Sequence, residues 1–166
     1  MATSPARTMW RRSGGTAARA AAVTTPAGWP SNADSDSSGW KRPEYGAAPV
    51  PIATAANTAG PPIEIGNHPD GIAITPDGKT VYVANINSGT VTPIETATNT
   101  AGTPIEVGEG ARAIVITADG ETAYVGVWGE PGTVTPIATA TNTAGTPIEV
   151  GDGPYAIAIT PGASRL

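Results

Sequence analysis

The stretch "TATNTAGTPIEVG" occupies residues 96–108 and recurs unchanged at residues 139–151. A third copy, "TAANTAGPPIEIG" at residues 54–66, differs from it at three positions. The copies begin at residues 54, 96 and 139, so the period is 42 or 43 residues. A fixed period of this length is the signature of a repeat architecture, in which each module buries its apolar surface against its neighbours.

A second recurring unit lies between these copies. It reads "GIAITPDGKTVYVAN" at 71–85, "RAIVITADGETAYVGV" at 112–127 and "YAIAITPGASRL" at 155–166. The two units divide each period into four short β-like runs separated by turn residues. In the first complete period the runs are "GIAIT" (71–75), "TVYVA" (80–84), "TVTPIET" (90–96) and "AGTPIEVG" (101–108). Asp77-Gly78 predicts a tight hairpin with a positive φ, and the residues around Asn99 predict a longer polar turn.

Four short antiparallel strands in about 40–45 residues predict one blade of a β-propeller. The runs are β-branched, interrupted by proline and too short for helices, which excludes a helical solenoid. They also have no consistently polar side, and this is typical of a sheet covered on both faces. We therefore predict an all-β fold, a partial β-propeller of four-stranded antiparallel blades.

Proline positions test this layout. Pro62, Pro104 and Pro147 belong to the fourth run, at the outer edge of a blade, where the missing N–H group is tolerated. Pro51, Pro93 and Pro136 belong to the third run, an interior position. We expect either a β-bulge there or an N–H position that faces away from the strand pairing.

The predicted blades do not complete a ring. They comprise a half blade at 50–66, full blades at 71–108 and 113–151, and the first strand of another blade at 156–160. Closed propellers have about four to eight blades, and an open arc leaves apolar blade faces uncovered. Three explanations stay open: a fragment or truncated gene product, several copies that share one ring, or an arc that persists as a monomer.

Residues 1–45 form a separate segment, which we predict to be a disordered leader rich in Arg, Ala, Ser and Gly. Arg19 interrupts its best apolar run, so no export signal is visible, and a transit peptide is the alternative. The leader has six Lys and Arg against three acids, whereas residues 46–166 have three against eleven. The acidic repeats disfavour nucleic acid as a partner. No apolar run is long enough to span a membrane.

The run "GIAITPDGKTVYVAN" followed by "SGTVTPIETATNTAG" resembles the YVTN-repeat β-propeller family. The four-letter signature stands as Tyr82-Val83-Ala84-Asn85 and decays to Tyr124-Val125-Gly126-Val127 in the next blade. WD40 repeats fit less well, because neither blade has their Gly-His and Trp-Asp pairs. The resemblance covers about residues 50–166 and implies a bacterial envelope or extracellular setting.

Some loops vary between repeats while others are nearly constant. The variable loops read "GNHPD" (66–70), "GEGAR" (108–112), "GDGPY" (151–155), "NINSG" (85–89) and "VWGEPG" (127–132). Alternating strand directions place all of them on one rim of the propeller. The candidate ligand or partner residues on this rim are His68, Asp70, Asn85, Arg112, Trp128 and Tyr155, with Glu109, Glu130 and Asp152 nearby. The alternative is that exposed loops vary without a function.

The chemistry of this rim favours binding over catalysis. His68 is the only histidine, and although Asp70 could orient it as a base, no activated nucleophile is evident. The scattered carboxylates form no calcium cage, the chain has no cysteine, and Asp-Gly hairpin chemistry explains Asp77 and Asp119. We predict no catalytic residue, no metal and no cofactor. Trp128 is either an anchor for a partner or packs over the end of its own blade.

These observations predict a non-catalytic binding or protein-interaction scaffold. Its partner would be a protein or small ligand at the variable rim, and self-association through exposed blade faces is a further possibility. The alternative is a fragment of a propeller enzyme, such as a lactonase or a quinoprotein dehydrogenase, that lacks its catalytic blades. A third alternative is a product with no independent activity.

Overall fold

The computed structural model describes residues 19–24 and 48–160, and this part of the chain is built of strands and turns. The described strands form three separate antiparallel sheets that follow one another along the chain. The predicted all-β architecture of antiparallel blades is confirmed. No helix in the described ranges is long and apolar enough to cross a membrane.

The first sheet contains β1 (Arg19–Thr24), β2 (Ala48–Ala53) and β3 (Thr58–Ala59), in that spatial order. The second contains β4 (Pro69–Ile74), β5 (Thr80–Asn85), β6 (Thr90–Glu95), β7 (Thr100–Ala101) and β8 (Ile105–Glu106). The third contains β9 (Ala111–Ile116), β10 (Thr122–Val127), β11 (Gly132–Ala138), β12 (Thr143–Ala144) and β13 (Ile148–Gly151). In the second and third sheets the outer position is divided between two short strands, which both pair with the third strand of the blade.

The N-terminal strand differs from the predicted disordered leader. Residues 19–24 pair with β2 along their whole length, in the position that β5 takes beside β6. Ala21 lies opposite Pro51 just as Tyr82 lies opposite Pro93, so the two registers are equivalent. Pairing satisfies the backbone groups of β2 that would otherwise form a free sheet edge. The remainder of the leader lies outside the described residues.

The C-terminal end also differs from the predicted layout. Residues 156–160, which we expected to be the first strand of another blade, are not part of a sheet. A first strand pairs with the second strand of its own blade, and the described residues contain no such strand for it.

The turns explain why the thirteen-residue phrase is constant. Its asparagine adopts a positive φ in every copy, 52° at Asn57, 55° at Asn99 and 53° at Asn142. Asparagine tolerates this left-handed conformation better than most side chains. The predicted Asp-Gly hairpins are also confirmed, with φ of 71° at Gly78 and 77° at Gly120.

The third-strand prolines follow the second of the two expected arrangements. The register of β5 and β6 runs past Pro93 without a bulge. The Gly102 N–H donates to the Pro93 carbonyl at 2.7 Å, so the missing N–H of Pro93 also faces the outer strand. The outer strand is interrupted at this point, between β7 and β8. The fourth-run proline Pro104 lies in that interruption and not within a strand.

A glycine lies opposite each of these prolines for a steric reason. A Cβ atom at Gly102 would lie only 3.2 Å from the Pro93 side chain. The same bond and the same close approach recur between Gly60 and Pro51 and between Gly145 and Pro136. The "AG" of the constant phrase is therefore matched to the proline of the preceding strand.

The main core lies between the second and third sheets. It contains Tyr82, Ala84, Val91, Ile105, Val107, Ala111, Ile114, Ala123, Val125, Val127 and Ile137. Full burial of a side chain such as Val or Ile is worth about 1.5–3 kcal/mol. Tyr82 is only 1% exposed, and its hydroxyl donates to Asn142 Oδ1 at 2.6 Å. A strand of one blade is thus bonded to a turn of the next.

We predict that Tyr82→Phe lowers the free energy of unfolding by about 1 kcal/mol, because the partly buried hydrogen bond to Asn142 is lost. Tyr155→Phe is the control, since Tyr155 is 67% exposed, and it should change stability by less than about 0.5 kcal/mol. Urea denaturation followed by circular dichroism measures both. Equal effects of the two substitutions would contradict a structural role for the Tyr82 hydroxyl.

Candidate functional site

Three side chains in equivalent positions of successive variable loops contact one another. Asp70, Arg112 and Tyr155 are the last residues of loops 66–70, 108–112 and 151–155. Arg112 Nε donates to Asp70 Oδ2 at 2.9 Å, and the guanidinium carbon lies 4.5 Å from the centroid of the Tyr155 ring. The structure therefore brings three of the predicted rim residues together in one row across the blades.

This row adds little to stability. The Asp70 and Arg112 side chains are both partly exposed, and a solvent-exposed ion pair contributes about 0–1 kcal/mol. A cation–π contact at an exposed site adds about 0.5–1 kcal/mol. Tyr155 keeps two thirds of its surface open to solvent. The row is thus preformed and accessible to another molecule.

Trp128 lies beside the same loop. Its six-membered ring would be within 2.9–3.1 Å of a Cβ atom at Gly153, so the indole packs directly over the Gly153 backbone. The backbone N–H of Trp128 donates to the Gly110 carbonyl at 2.9 Å. Even so, 51% of the residue is exposed. The indole is held on one side while much of its surface stays open.

His68 is exposed and adopts a positive φ of 57°. Its carbonyl accepts a hydrogen bond from the Ile86 N–H at 2.9 Å. Asp70, considered above as its orienting partner, is bound through Oδ2 to Arg112 instead. Among the described residues, no three His, Asp or Glu side chains are grouped so that they could hold a metal ion.

Asn85 is a correction to the predicted rim. It is fully buried, and its Nδ2 donates to Thr90 Oγ1 at 3.2 Å and to Thr92 Oγ1 at 3.0 Å. Gly66 covers it, since a Cβ there would lie 2.9 Å from Asn85 Cγ. The side chain at the end of β5 turns into the sheet, where it bonds two threonines of β6. The threonines at alternate positions opposite Asn85 were the sequence signal for this role.

The third sheet lacks this amide. Val127 occupies the position of Asn85, and Thr135 occupies the position of Thr92. Thr135 Oγ1 is buried without a hydrogen-bond partner in the described structure. Such an atom costs about 1–3 kcal/mol. Decay of the "YVAN" signature to "YVGV" therefore leaves the Thr135 hydroxyl without the amide donor that Thr92 has, while in the second sheet the unpartnered buried atom is Asn85 Oδ1.

On the opposite rim, the aspartates of the two Asp-Gly hairpins have a structural role. Asp77 Oδ1 accepts from Thr75 Oγ1 at 2.6 Å and from the Lys79 N–H at 3.0 Å. The Thr75 hydroxyl, followed by the Lys79 N–H, lowers the pKa of Asp77 to about 2. Asp119 makes the same contacts with Thr117 and the Glu121 N–H. These carboxylates close hairpins, as the Asp-Gly pattern predicted.

Comparisons with known proteins support the fold. No protein-family model and no curated protein matches the chain. Among solved structures, hydrazine synthase of Kuenenia stuttgartiensis matches with a TM-score of 0.63 and 25% identity, over 66% of this chain. The apo form of AztD from Citrobacter koseri matches with a TM-score of 0.57 and 13% identity, over 68% of this chain.

The chain spans 32% of the length of each of these structures. Both are β-propeller-type proteins, so the propeller-like fold is confirmed. Membership of the YVTN-repeat family stays a prediction.

We predict opposite effects of one substitution at equivalent threonines. Thr135→Val removes the unpartnered hydroxyl and should raise the free energy of unfolding by about 1–2 kcal/mol. Thr92→Val removes a partner of Asn85 and should lower it by about 1–3 kcal/mol. Chemical denaturation of both variants measures the difference. A loss of stability in both would show that Thr135 Oγ1 has a partner after all.

We also predict that the Asp77 carboxyl titrates near pH 2, well below its ordinary value of 3.8. Because the pKa is lowered on folding, its stabilising effect is present above about pH 4 and is lost as the pH falls toward 2. Thr75→Ala should raise the pKa toward 3.8, whereas Thr117→Ala should leave it unchanged. NMR titration of the carboxyl carbon tests this, and a wild-type pKa near 3.8 would contradict it.

Proposed function

We propose that this chain is a non-catalytic binding or protein-interaction scaffold built from YVTN-type propeller repeats. Its variable rim would take a protein or small ligand, in a bacterial envelope or extracellular setting. One observation carries the proposal. Arg112, Trp128 and Tyr155 meet at loop 151–155, where each is positioned by contacts within the chain and the two aromatic residues stay more than half exposed.

The chemistry of these three residues supports binding. Trp, Tyr and Arg are the residues that most often dominate the energy of protein interfaces. Side chains already held in place lose less conformational entropy when a partner binds. We name Arg112, Trp128 and Tyr155 together the rim patch. The exposed part of the Trp128 indole suits a partner with an apolar or aromatic group that can lie against it.

The charged residues around the rim patch indicate which charge a partner would carry. Glu109, Glu130 and Asp152 are exposed in the neighbouring loops. The positive charge of Arg112 is already matched by Asp70. A partner that carries basic groups around its apolar contact would therefore meet complementary charge, which favours association most at low salt.

The proposal is tested by binding measurements with rim variants. The full chain is immobilised, and molecules retained from bacterial envelope extracts are identified and then purified. Trp128→Ala and Arg112→Ala should each weaken binding of the purified partner tenfold or more, since central interface residues contribute about 2 kcal/mol or more. Lys79→Ala is the control, because Lys79 lies at the hairpin of the opposite rim.

Unchanged affinity in both rim variants would contradict the proposal. Equal losses in the rim variants and in Lys79→Ala would contradict it as well, because the effect would then not be local to the patch. Circular dichroism of each variant separates a lost contact from a lost fold.

A further inference from the structure

The second sheet turns one apolar face toward the first sheet, and the described residues bury Val81, Val83 and Ile94 on it but leave its β4 end uncovered. Ile72 and Ile74 of β4 are 37% and 47% exposed. Their equivalents in β9 are Ile114, which is 8% exposed, and Ile116, which is packed against the main core. The same two positions are thus packed against a core in the third sheet and exposed in the second.

The difference has a simple cause. β9 lies against β4, the innermost strand of the preceding sheet. β4 should likewise lie against the innermost strand of the first sheet, but that sheet has β1 at its end. By register, β1 is equivalent to β5, the second strand of a blade. The first sheet is therefore a blade that, within the described residues, has no innermost strand.

The empty position is a groove of about 290 Å³ with a mainly apolar lining. It is lined by Pro49, Ile63, Ile72, Ile74, Val81 and Ile94, among others. Pro49 and Pro51 of β2 line one side of it, and β1 is the end strand beside β2. An extended segment there could pair with β1 and cover the two exposed isoleucines, as a strand added to a free sheet edge.

The other end of the structure carries the matching element. Residues 155–160, "YAIAIT", have the sequence of the first strands "GIAIT" and "RAIVIT". Ile157 Cδ1 lies 3.3 Å from the place of a Cβ atom at Gly126, so the segment rests on the third sheet. Tyr155 stacks on Arg112 in the same row in which Arg112 bonds Asp70. The segment lies where the innermost strand of a next blade belongs, yet it is paired with no described strand.

We propose that a second copy of this chain fills the groove, with residues 155–160 of one copy forming the innermost strand of its partner's first sheet. This strand and β1, β2 and β3 make one composite blade that continues the packing already seen between the second and third sheets. The small side chains of Ala156 and Ala158 alternate with the isoleucines that face the third sheet, so they suit contact with the partner's Ile72 and Ile74.

For a closed ring made only of copies of this 166-residue chain, the blade count sets the number of copies. Each copy supplies two complete sheets and one composite blade. Two copies therefore make a ring of six blades, within the usual range of about four to eight. One copy closed on itself would have three and three copies would have nine, both outside that range. The contact is head-to-tail and closes after two copies, which avoids an open filament.

A second contact agrees with this arrangement. Tyr82 is buried in the core between the second and third sheets, and its hydroxyl reaches Asn142 in the turn of the next blade. Tyr124 is the equivalent residue of the third sheet and is only partly buried. The turn that would face it belongs to the partner's composite blade, where the equivalent residue is Asn57, with the same positive φ. The Tyr124 hydroxyl would then donate to the partner's Asn57.

Cysteine cross-linking tests the composite blade directly, because the chain has no cysteine of its own. In the second and third sheets, Ala73 lies opposite Tyr82 and Val115 lies opposite Tyr124. Ala158 is equivalent to Ala73 by sequence, and Ala21 is equivalent to Tyr82 by register. In the composite blade, Ala158 should therefore lie opposite the partner's Ala21. Such pairs have Cα atoms about 4.5–5.5 Å apart, within the range of about 4.4–6.8 Å for a disulfide. A tagged chain with Ala21→Cys, mixed with an untagged chain with Ala158→Cys, should form a covalent heterodimer on oxidation that a reductant reverses.

The control replaces Ala21→Cys by Ala22→Cys, because Ala22 lies opposite Val50 instead of Pro51 and is therefore one residue out of register with Ala158. It should cross-link at least tenfold less. Using two different single-cysteine chains excludes a bond within one chain. Native mass spectrometry of the wild type should show a species of twice 16.5 kDa.

Tyr124→Phe supplies an independent measurement. It should raise the dissociation constant of the dimer roughly 5- to 150-fold, because one net hydrogen bond is lost at each of the two contacts in the ring. Tyr82→Phe removes the equivalent bond within each chain and should leave the dissociation constant within about twofold.

A chain that stays monomeric at all concentrations would overturn the proposal. So would a dimer in which the Ala21 and Ala22 variants cross-link equally, because the strand register would then be wrong. Tyr155 belongs both to the rim patch and to residues 155–160, so Trp128→Ala is the variant that separates this proposal from the proposed function. It should weaken rim binding and leave the cross-link between the Ala21→Cys and Ala158→Cys chains unchanged, whereas a chain that fails to cross-link can still bind at the rim through Trp128.

Discussion

Burial of both faces of every sheet is the constraint on which the rest of this structure depends. In the second sheet, Tyr82 and Ala84 face the third sheet while Val81 and Val83 face the first. A sheet with two apolar faces exposes one of them to water unless another sheet stands on each side. A blade is therefore stable only when other blades pack on both of its faces, and this is why the sequence repeats.

The constant parts of the repeat serve the same packing. Pro93 removes a donor at the point where the outer strand is interrupted, and Gly102 leaves room for the proline ring. Asn142 holds a left-handed turn and also accepts the Tyr82 hydroxyl of the preceding blade. One residue therefore meets a local need of the turn and a need of the interface, which explains why the phrase recurs without change.

The two rims differ in the same physical terms. The carboxylates of Asp77 and Asp119 accept hydrogen bonds that close their own hairpins, so few of their acceptor sites are open to a ligand. On the other rim, Arg112 and Trp128 make contacts across loops and still present open surface. Apart from Asn85 and Val127, which are buried at the ends of β5 and β10, variation between repeats occurs where the side chains are not needed to close a turn or fill an interface. A binding surface can change at those positions without loss of the fold.

Much of this could be read from the sequence alone. The period, the four strands of a blade, the Asp-Gly hairpins and the position of the variable rim all follow from local patterns, because turns and strand alternation depend on neighbouring residues. The burial of Asn85, the row formed by Asp70 and Arg112, and the pairing of residues 19–24 with β2 depend on segments far apart in the chain. Only the tertiary structure decided them, because the register between strands and the angle between sheets set which side chains meet, and no local pattern records either.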